Sequence, residues 1–206
     1  MNLKSSALII VDMQNDFLHE NGFIRKFSER MGISKESLDL LRDPIPNIKK
    51  LAEFFRQNNR DVIQIYTAWE PDYSDLAIPL KMMKEKAMEA GALVIGSWGA
   101  QIIEELTPHK DDHLVLKKAY GGFFRTSLDR MLRNLGIHTL FMTGVATNYC
   151  VETTTREAVG YGYDVIMISD ATGTYDPEGH QATLKVIANG FGDVMTTEQV
   201  IQLLNP

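Results

Sequence analysis

The stretch HTLFMTGVATNYCVETTTREAVGYGYDVIMIS, residues 138–169, decides the fold. It opens on a short apolar run, HTLFMT (138–143), and closes on a second, DVIMIS (164–169). Runs of this length, rich in Val, Ile and Leu and free of alternation, are read as strands buried on both faces. Thr147 or Asn148 is placed to cap a helix between them that reaches about Gly160. Strand, helix and strand in that order form a crossover unit, and such units build a parallel sheet.

The same rhythm continues outward in both directions. ALIIVD (7–12), DVIQIYT (61–67), HLVLK (113–117) and DVMTT (193–197) complete a set of six strands. Between them lie helical stripes. Ile45, Ile48, Ala52 and Phe55 form one. Leu128, Met131, Leu132 and Leu135 form another, closed by Gly136, and residues 177–189 form a further helix ended by Gly190. The expected fold is α/β: a doubly wound, mostly parallel six-stranded sheet with helices on both faces, in one domain over residues 1–206. Residues 19–43 and 69–98, the latter with a Met- and Lys-rich helical piece, are the least regular. They are expected to cover a site or to meet a partner subunit.

The totals narrow the function. The chain has 206 residues and a net charge of −6, with no basic run, which argues against a nucleic-acid binder. The apolar run near the start ends at Asp12, too short for a signal-peptide core or a membrane span. With a single cysteine and no export signal, a soluble cytoplasmic protein is expected. The five histidines are scattered without ligand spacing, so neither a metal nor another cofactor is expected. The turn after the first strand, DMQNDF, lacks the glycines of a dinucleotide site, and phosphate-loop and Gly-x-Ser-x-Gly motifs are absent.

In an open parallel sheet, ligands sit beyond the carboxyl ends of the strands. Asp12 ends the first strand, Thr67 the second and Lys117 the third; Cys150 follows the fourth and Asp170 the fifth. A carboxylate can take a thiol proton, an ammonium steadies the anion, and backbone N–H groups at a helix start can hold an oxyanion. That set suits attack on a carbonyl carbon. On the residues alone other readings stand beside it. Cys150 fits as a small core residue, Asp12 as a turn cap, Lys117 or Lys118 as surface charge, and Trp69 as core.

Three segments, ALIIVDMQNDF, LVLKKAYGGFFRTSLDRMLRNLGI and TGVATNYCVETTTREAVGYGYDVIMISDATG, resemble the isochorismatase-like cysteine hydrolase superfamily in content and order. The resemblance implies a catalytic triad of Asp12, Lys117 and Cys150. It favours Lys117 over Lys118, because the family lysine stands three before the aromatic residue, here Tyr120. It also implies a cis peptide at Val145–Ala146 and an oxyanion hole from the N–H groups of Ala146 and Cys150. The implied reaction is hydrolysis of a C–N bond in a small amide, ureido or carbamoyl compound, with release of ammonia.

Within the superfamily the likeness runs furthest to the ureidoacrylate and carbamoyl amidohydrolases, through Trp69-Glu70 and GSWGAQIIEEL. YTAWEPDYSDL lacks the histidine of the metal-dependent nicotinamidases. The alternatives are a vinyl-ether hydrolase of the isochorismatase type and a non-catalytic metabolite binder. Phe17, Trp69, Tyr120 and Tyr149 are expected to line the substrate pocket. The basic residue often found before the family's tyrosine is Ala119 here; if that residue holds a substrate carboxylate, this chain must use another group, with Arg125 a candidate, or take a different substrate. The resemblance also implies a homodimer or homotetramer. An active Cys150 is expected to be alkylated well below the ordinary thiol pKa.

Overall fold

Every residue of the first strand, β1 (Ser6–Val11), is buried, and its side chains divide between two apolar layers. Leu8 and Ile10 face one layer with Ile48, Leu51 and Phe55; Ala7, Ile9 and Val11 face the other with Leu128, Leu132 and Ala158. This two-sided burial follows from alternate side chains pointing to opposite faces of a strand. The computed structural model describes residues 3–76 and 81–205; part of the loop expected between 69 and 98 lies outside them.

After β1 come three short helices, α1 (Asn15–Leu18), α2 (Phe23–Phe27) and α3 (Lys35–Asp39). Then follow α4 (Ile45–Gln57), β2 (Asp61–Thr67), α5 (Lys81–Ala90), β3 (His113–Lys117), α6 (Leu128–Asn134) and β4 (Thr139–Val145). The chain finishes with α7 (Glu152–Gly160), β5 (Asp164–Gly173), α8 (Pro177–Gly190), β6 (Asp193–Met195) and α9 (Thr197–Leu204).

The six strands run parallel in the order β3-β2-β1-β4-β5-β6. The chain starts at the centre, winds out to β3, then returns to β4 and winds out the other way. Helices α4 and α9 cover one face and α6, α7 and α8 the other, as their buried residues divide. The reversal falls between β1 and β4, where open sheets form a crevice at their carboxyl ends. Among the described residues no helix is long and apolar enough to cross a membrane.

Three boundaries differ from the sequence expectation. β5 continues past Ser169 to Gly173, with a register shift against β4 between Met142 and Gly144. Asp170 therefore lies within a strand; its carboxylate accepts from the N–H and hydroxyl of Thr197, at 2.7 and 2.9 Å, and holds the start of α9. β6 stops at Met195 because Thr196 becomes the N-cap of α9, in a reciprocal capping box with Gln199. The helix after β4 does not begin with a Thr147 or Asn148 cap. It opens with a π turn over Thr147–Val151, in which the Ala146 carbonyl accepts from Tyr149 and Val151. The Thr147 hydroxyl instead meets His180 Nδ1 at 2.9 Å, and the Asn148 amide donates to Asp176.

Candidate active site

The carboxyl ends of four adjacent strands, from the edge strand β3 inward through β2 and β1 to β4, present in spatial order Lys117, Thr67, Asp12 and the turn that carries Cys150. Thr67 pairs in register with Lys117, and Val11 with Gly144. Asp12 leaves the strand in a left-handed conformation, φ 53°. Asp is among the few residues that adopt it at modest cost. Its N–H still donates to the Ile65 carbonyl at 2.8 Å, so the carboxylate is turned at the sheet edge without breaking the strand contact. Gln14, fully buried, locks this end of the sheet: its amide donates to the carbonyls of Thr67 and Ala100 and accepts from Thr67 N–H.

The structure brings Asp12, Lys117 and Cys150 together. Asp12 and Lys117 are each 1 % exposed and Cys150 8 %. Lys117 Nζ stands 2.8 Å from Asp12 Oδ2 and 3.4 Å from Cys150 Sγ. It also donates to the Thr67 hydroxyl at 2.7 Å and to the Ala119 carbonyl at 2.9 Å. Thr67 in turn donates to Asp12 Oδ1 at 2.9 Å. Lys118 is directed elsewhere, to Asp75 at 2.5 Å.

Burial pulls the Lys117 pKa down, but Asp12 and then Cys150 outweigh it, and the net shift is upward. Burial, followed by the charge of Asp12, pushes the Cys150 thiol well up, against the opposing pull of Lys117. Both directions favour a protonated thiol beside the Asp12–Lys117 pair. The thiol's direction is opposite to the lowered pKa that early alkylation of Cys150 requires: one ammonium shared with a carboxylate works against the desolvation of a buried thiolate.

Cys150 opens onto two spaces. The larger, about 540 Å³, is lined by Asp12, Phe17, Tyr120, Ala146, Tyr149 and Tyr175, among others. Its outer wall comes from Ile24, Met31, Ile33 and Leu41, so the irregular 19–43 segment covers this cavity. The smaller, about 60 Å³, is an apolar chamber between Lys117 and the rings of Phe17, Phe23, Trp69 and Tyr120. Trp69 is buried and its indole donates to the Lys118 carbonyl at 3.2 Å. Tyr120, Tyr149 and Tyr175 form a ladder with centroids 6.1 and 6.0 Å apart. Burial, then the proximity of Cys150, holds the Tyr120 hydroxyl above its ordinary pKa.

All four residues expected at the pocket thus line a space that Cys150 also lines. Arg125 does not: it is exposed, adopts φ 54°, and lies over the Phe124 ring at 5.2 Å. The sequence reading passed over Thr67 as a site residue, although the strand-end rule that selected Lys117 also marks it. It passed over Tyr175 and Lys86, both at the larger cavity, because neither follows a strand end directly. Ala146 precedes the π turn and Cys150 lies within it, both at the cavity wall, and the Val145–Ala146 peptide is cis. Among the described residues no group of three or more His, Cys, Asp or Glu side chains could hold a metal ion.

Relatives match nearly the whole chain. The ureidoacrylate amidohydrolase RutB of Klebsiella pneumoniae subsp. pneumoniae is 33 % identical over 98 % of this chain and 88 % of its own. That of Agrobacterium fabrum is 34 % identical over 93 % of this chain and 86 % of its own. The crystal structure of a cysteine hydrolase from Pseudomonas syringae pv. phaseolicola superposes with a TM-score of 0.85 at 30 % identity, over 99 % of this chain and 94 % of that one. The isochorismatase domain model matches residues 6–199, and the chain belongs to the isochorismatase family.

Proposed function

We propose that this protein is a cysteine-dependent hydrolase that cleaves the C–N bond of a small amide, ureido or carbamoyl substrate and releases ammonia. One observation carries the reading: a single buried ammonium, Lys117 Nζ, contacts both the Asp12 carboxylate and the Cys150 sulfur at the wall of a cavity. The similarity to ureidoacrylate amidohydrolases supports the C–N choice over vinyl-ether cleavage.

In this reading Asp12 takes the thiol proton as Cys150 Sγ bonds to the substrate carbonyl carbon. The thiol is neutral at rest, so proton removal and attack occur together, and Lys117 faces the sulfur as it gains charge. The N–H groups of Ala146 and Cys150 donate to the developing oxyanion. Asp12 returns the proton to the departing nitrogen, the C–N bond breaks, and an acyl or carbamoyl thioester remains. Water then adds to that carbon while Asp12 takes its proton. The C–S bond breaks and the proton returns to Cys150, leaving the acid or carbamate. The tyrosines and Phe17 supply the walls that hold a small planar substrate.

The test is ammonia release from ureidoacrylate, carbamoyl amino acids, biuret, nicotinamide and simple amides, with the native protein and Cys150→Ala. Release that disappears in the variant is the expected outcome. Release unaffected by the substitution, or none from any compound, overturns the reading.

A further inference from the structure

The larger cavity carries two formal charges among the described residues that line it. One is Asp12, at the sulfur. The other is Lys86, on α5, which takes no part in the reaction just described. Lys86 is 9 % exposed, and among the described residues its ammonium meets one acceptor, the Arg30 carbonyl at 3.2 Å. The acid one turn along the helix, Glu89, is already engaged by Arg30, whose Nη1 reaches both carboxylate oxygens at 2.8 Å. Among the described residues this buried ammonium has one neutral acceptor and no carboxylate, which leaves two donors and a charge unmatched there. Such a group is costly to bury unless something anionic joins it.

The rest of that wall is apolar or hydroxylic: Ile24, Met31 and Ile33, with Ser34 and Ser37 beside them. At about 540 Å³ the space exceeds what a urea-sized amide fills. We propose that Lys86 is the residue that sets charge selectivity at this site, by pairing with an anionic group that the substrate carries away from its scissile carbonyl. This rests on the hydrolase reading and adds to it a charge requirement and the residue that imposes it. Lys86 takes the place that Arg125, facing solvent, cannot fill.

The test compares N-carbamoyl-β-alanine with its neutral methyl ester. Binding is measured by calorimetry on Cys150→Ala, which prevents turnover, and on the same protein with Lys86→Met. The acid is expected to bind about 10- to 100-fold more tightly than the ester, and Lys86→Met to remove that preference while ester binding changes less than about twofold. Lys86→Gln, which keeps a polar end without the charge, is expected to lose the preference as well and guards against a folding defect in the Met variant. Equal binding of acid and ester, no binding of the acid, or a preference for the acid that survives both substitutions overturns the proposal. Turnover by the native protein separates this from the hydrolase reading. Charge-selective binding without ammonia release sinks the hydrolase and leaves the anion site. Cys150-dependent release from acid and ester alike does the reverse.

Discussion

Lys117 and Asp12 are joined twice. Their charged atoms lie 2.8 Å apart, and the Thr67 hydroxyl closes a second route by accepting from Lys117 at 2.7 Å and donating to Asp12 at 2.9 Å. A three-membered ring of this kind fixes which carboxylate oxygen stays with the lysine. It also fixes where the ammonium points toward Cys150. Thr67 touches neither the sulfur nor a substrate in the proposed reaction, so it acts as a positioning residue.

Thr67→Val keeps the shape and deletes the hydroxyl. It is expected to lower kcat/KM for ammonia release about 10- to 100-fold, mainly through kcat, and to cost about 1–3 kcal/mol of stability, because a buried carboxylate and ammonium each lose a partner. Thr67→Ser restores both. A Val variant with native kcat would show that the ring is ornamental to turnover.

The ion pair itself predicts a non-additive cycle. Lys117→Met leaves the Asp12 charge buried without its counter-ion, at about 3–5 kcal/mol by urea unfolding. Asp12→Asn is the partner substitution of choice, because Asn also accepts the left-handed backbone that Asp12 holds at φ 53°. The double variant is expected to be more stable than Lys117→Met alone, yet inactive. Additive stability losses would mean that the two side chains are not coupled in solution.

The alkylation profile follows from the site's electrostatics. Burial and Asp12 raise the Cys150 thiol, and Lys117 only partly opposes them. Iodoacetamide labelling followed by mass spectrometry should be slow at neutral pH and accelerate only above the ordinary thiol range of about 8.5. Asp12→Asn removes an upward push and shifts the rise to lower pH. The sign for stability is the same. The folded chain keeps the Cys150 proton where the unfolded chain has lost it, so the unfolding free energy declines as pH climbs above about 8.5. Cys150→Ala should flatten that decline. A labelling plateau already reached near neutrality would place a thiolate in the resting site.

What was legible in the sequence, and what was not, divides by the kind of physics involved. The buried strand β1 reads as an unbroken apolar run, and β2 and the half-exposed edge strand β3 are rich enough in Val, Ile and Leu to be found beside it, which places Asp12 and Lys117 at strand ends. The π turn at Cys150 could not, since it depends on which N–H groups the Ala146 carbonyl collects, and the caps favoured by residue type went to His180 and Asp176 instead. Lys86 was illegible for a different reason. In a Met- and Lys-rich helix a lysine looks like solvated charge, and only the cover formed by residues 19–43 buries it. Arg125 failed in the opposite sense: it stands five residues after Tyr120, but it is exposed at φ 54° and its guanidinium lies over the Phe124 ring.

Gly144 sets how closely β4 approaches β1 at the crevice. It pairs with Val11, the residue before Asp12, and has φ +108°. A Cβ there would stand 2.1 Å from the Val11 carbonyl oxygen and 2.6 Å from its nitrogen, both backbone atoms that cannot swing aside. Gly136, by contrast, has φ +67° with nothing within 4 Å of its added Cβ. Gly136→Ala therefore incurs backbone strain alone, about 1 kcal/mol, whereas Gly144→Ala adds a clash and is expected to cost more than about 3 kcal/mol. Any relief must come from moving the two strand ends apart, which separates Asp12 from the turn that carries Cys150. Denaturant unfolding of both variants checks the order of the costs. Ammonia release from whatever fraction of Gly144→Ala folds checks the geometry: it should fall in kcat, while Gly136→Ala turns over at the native rate.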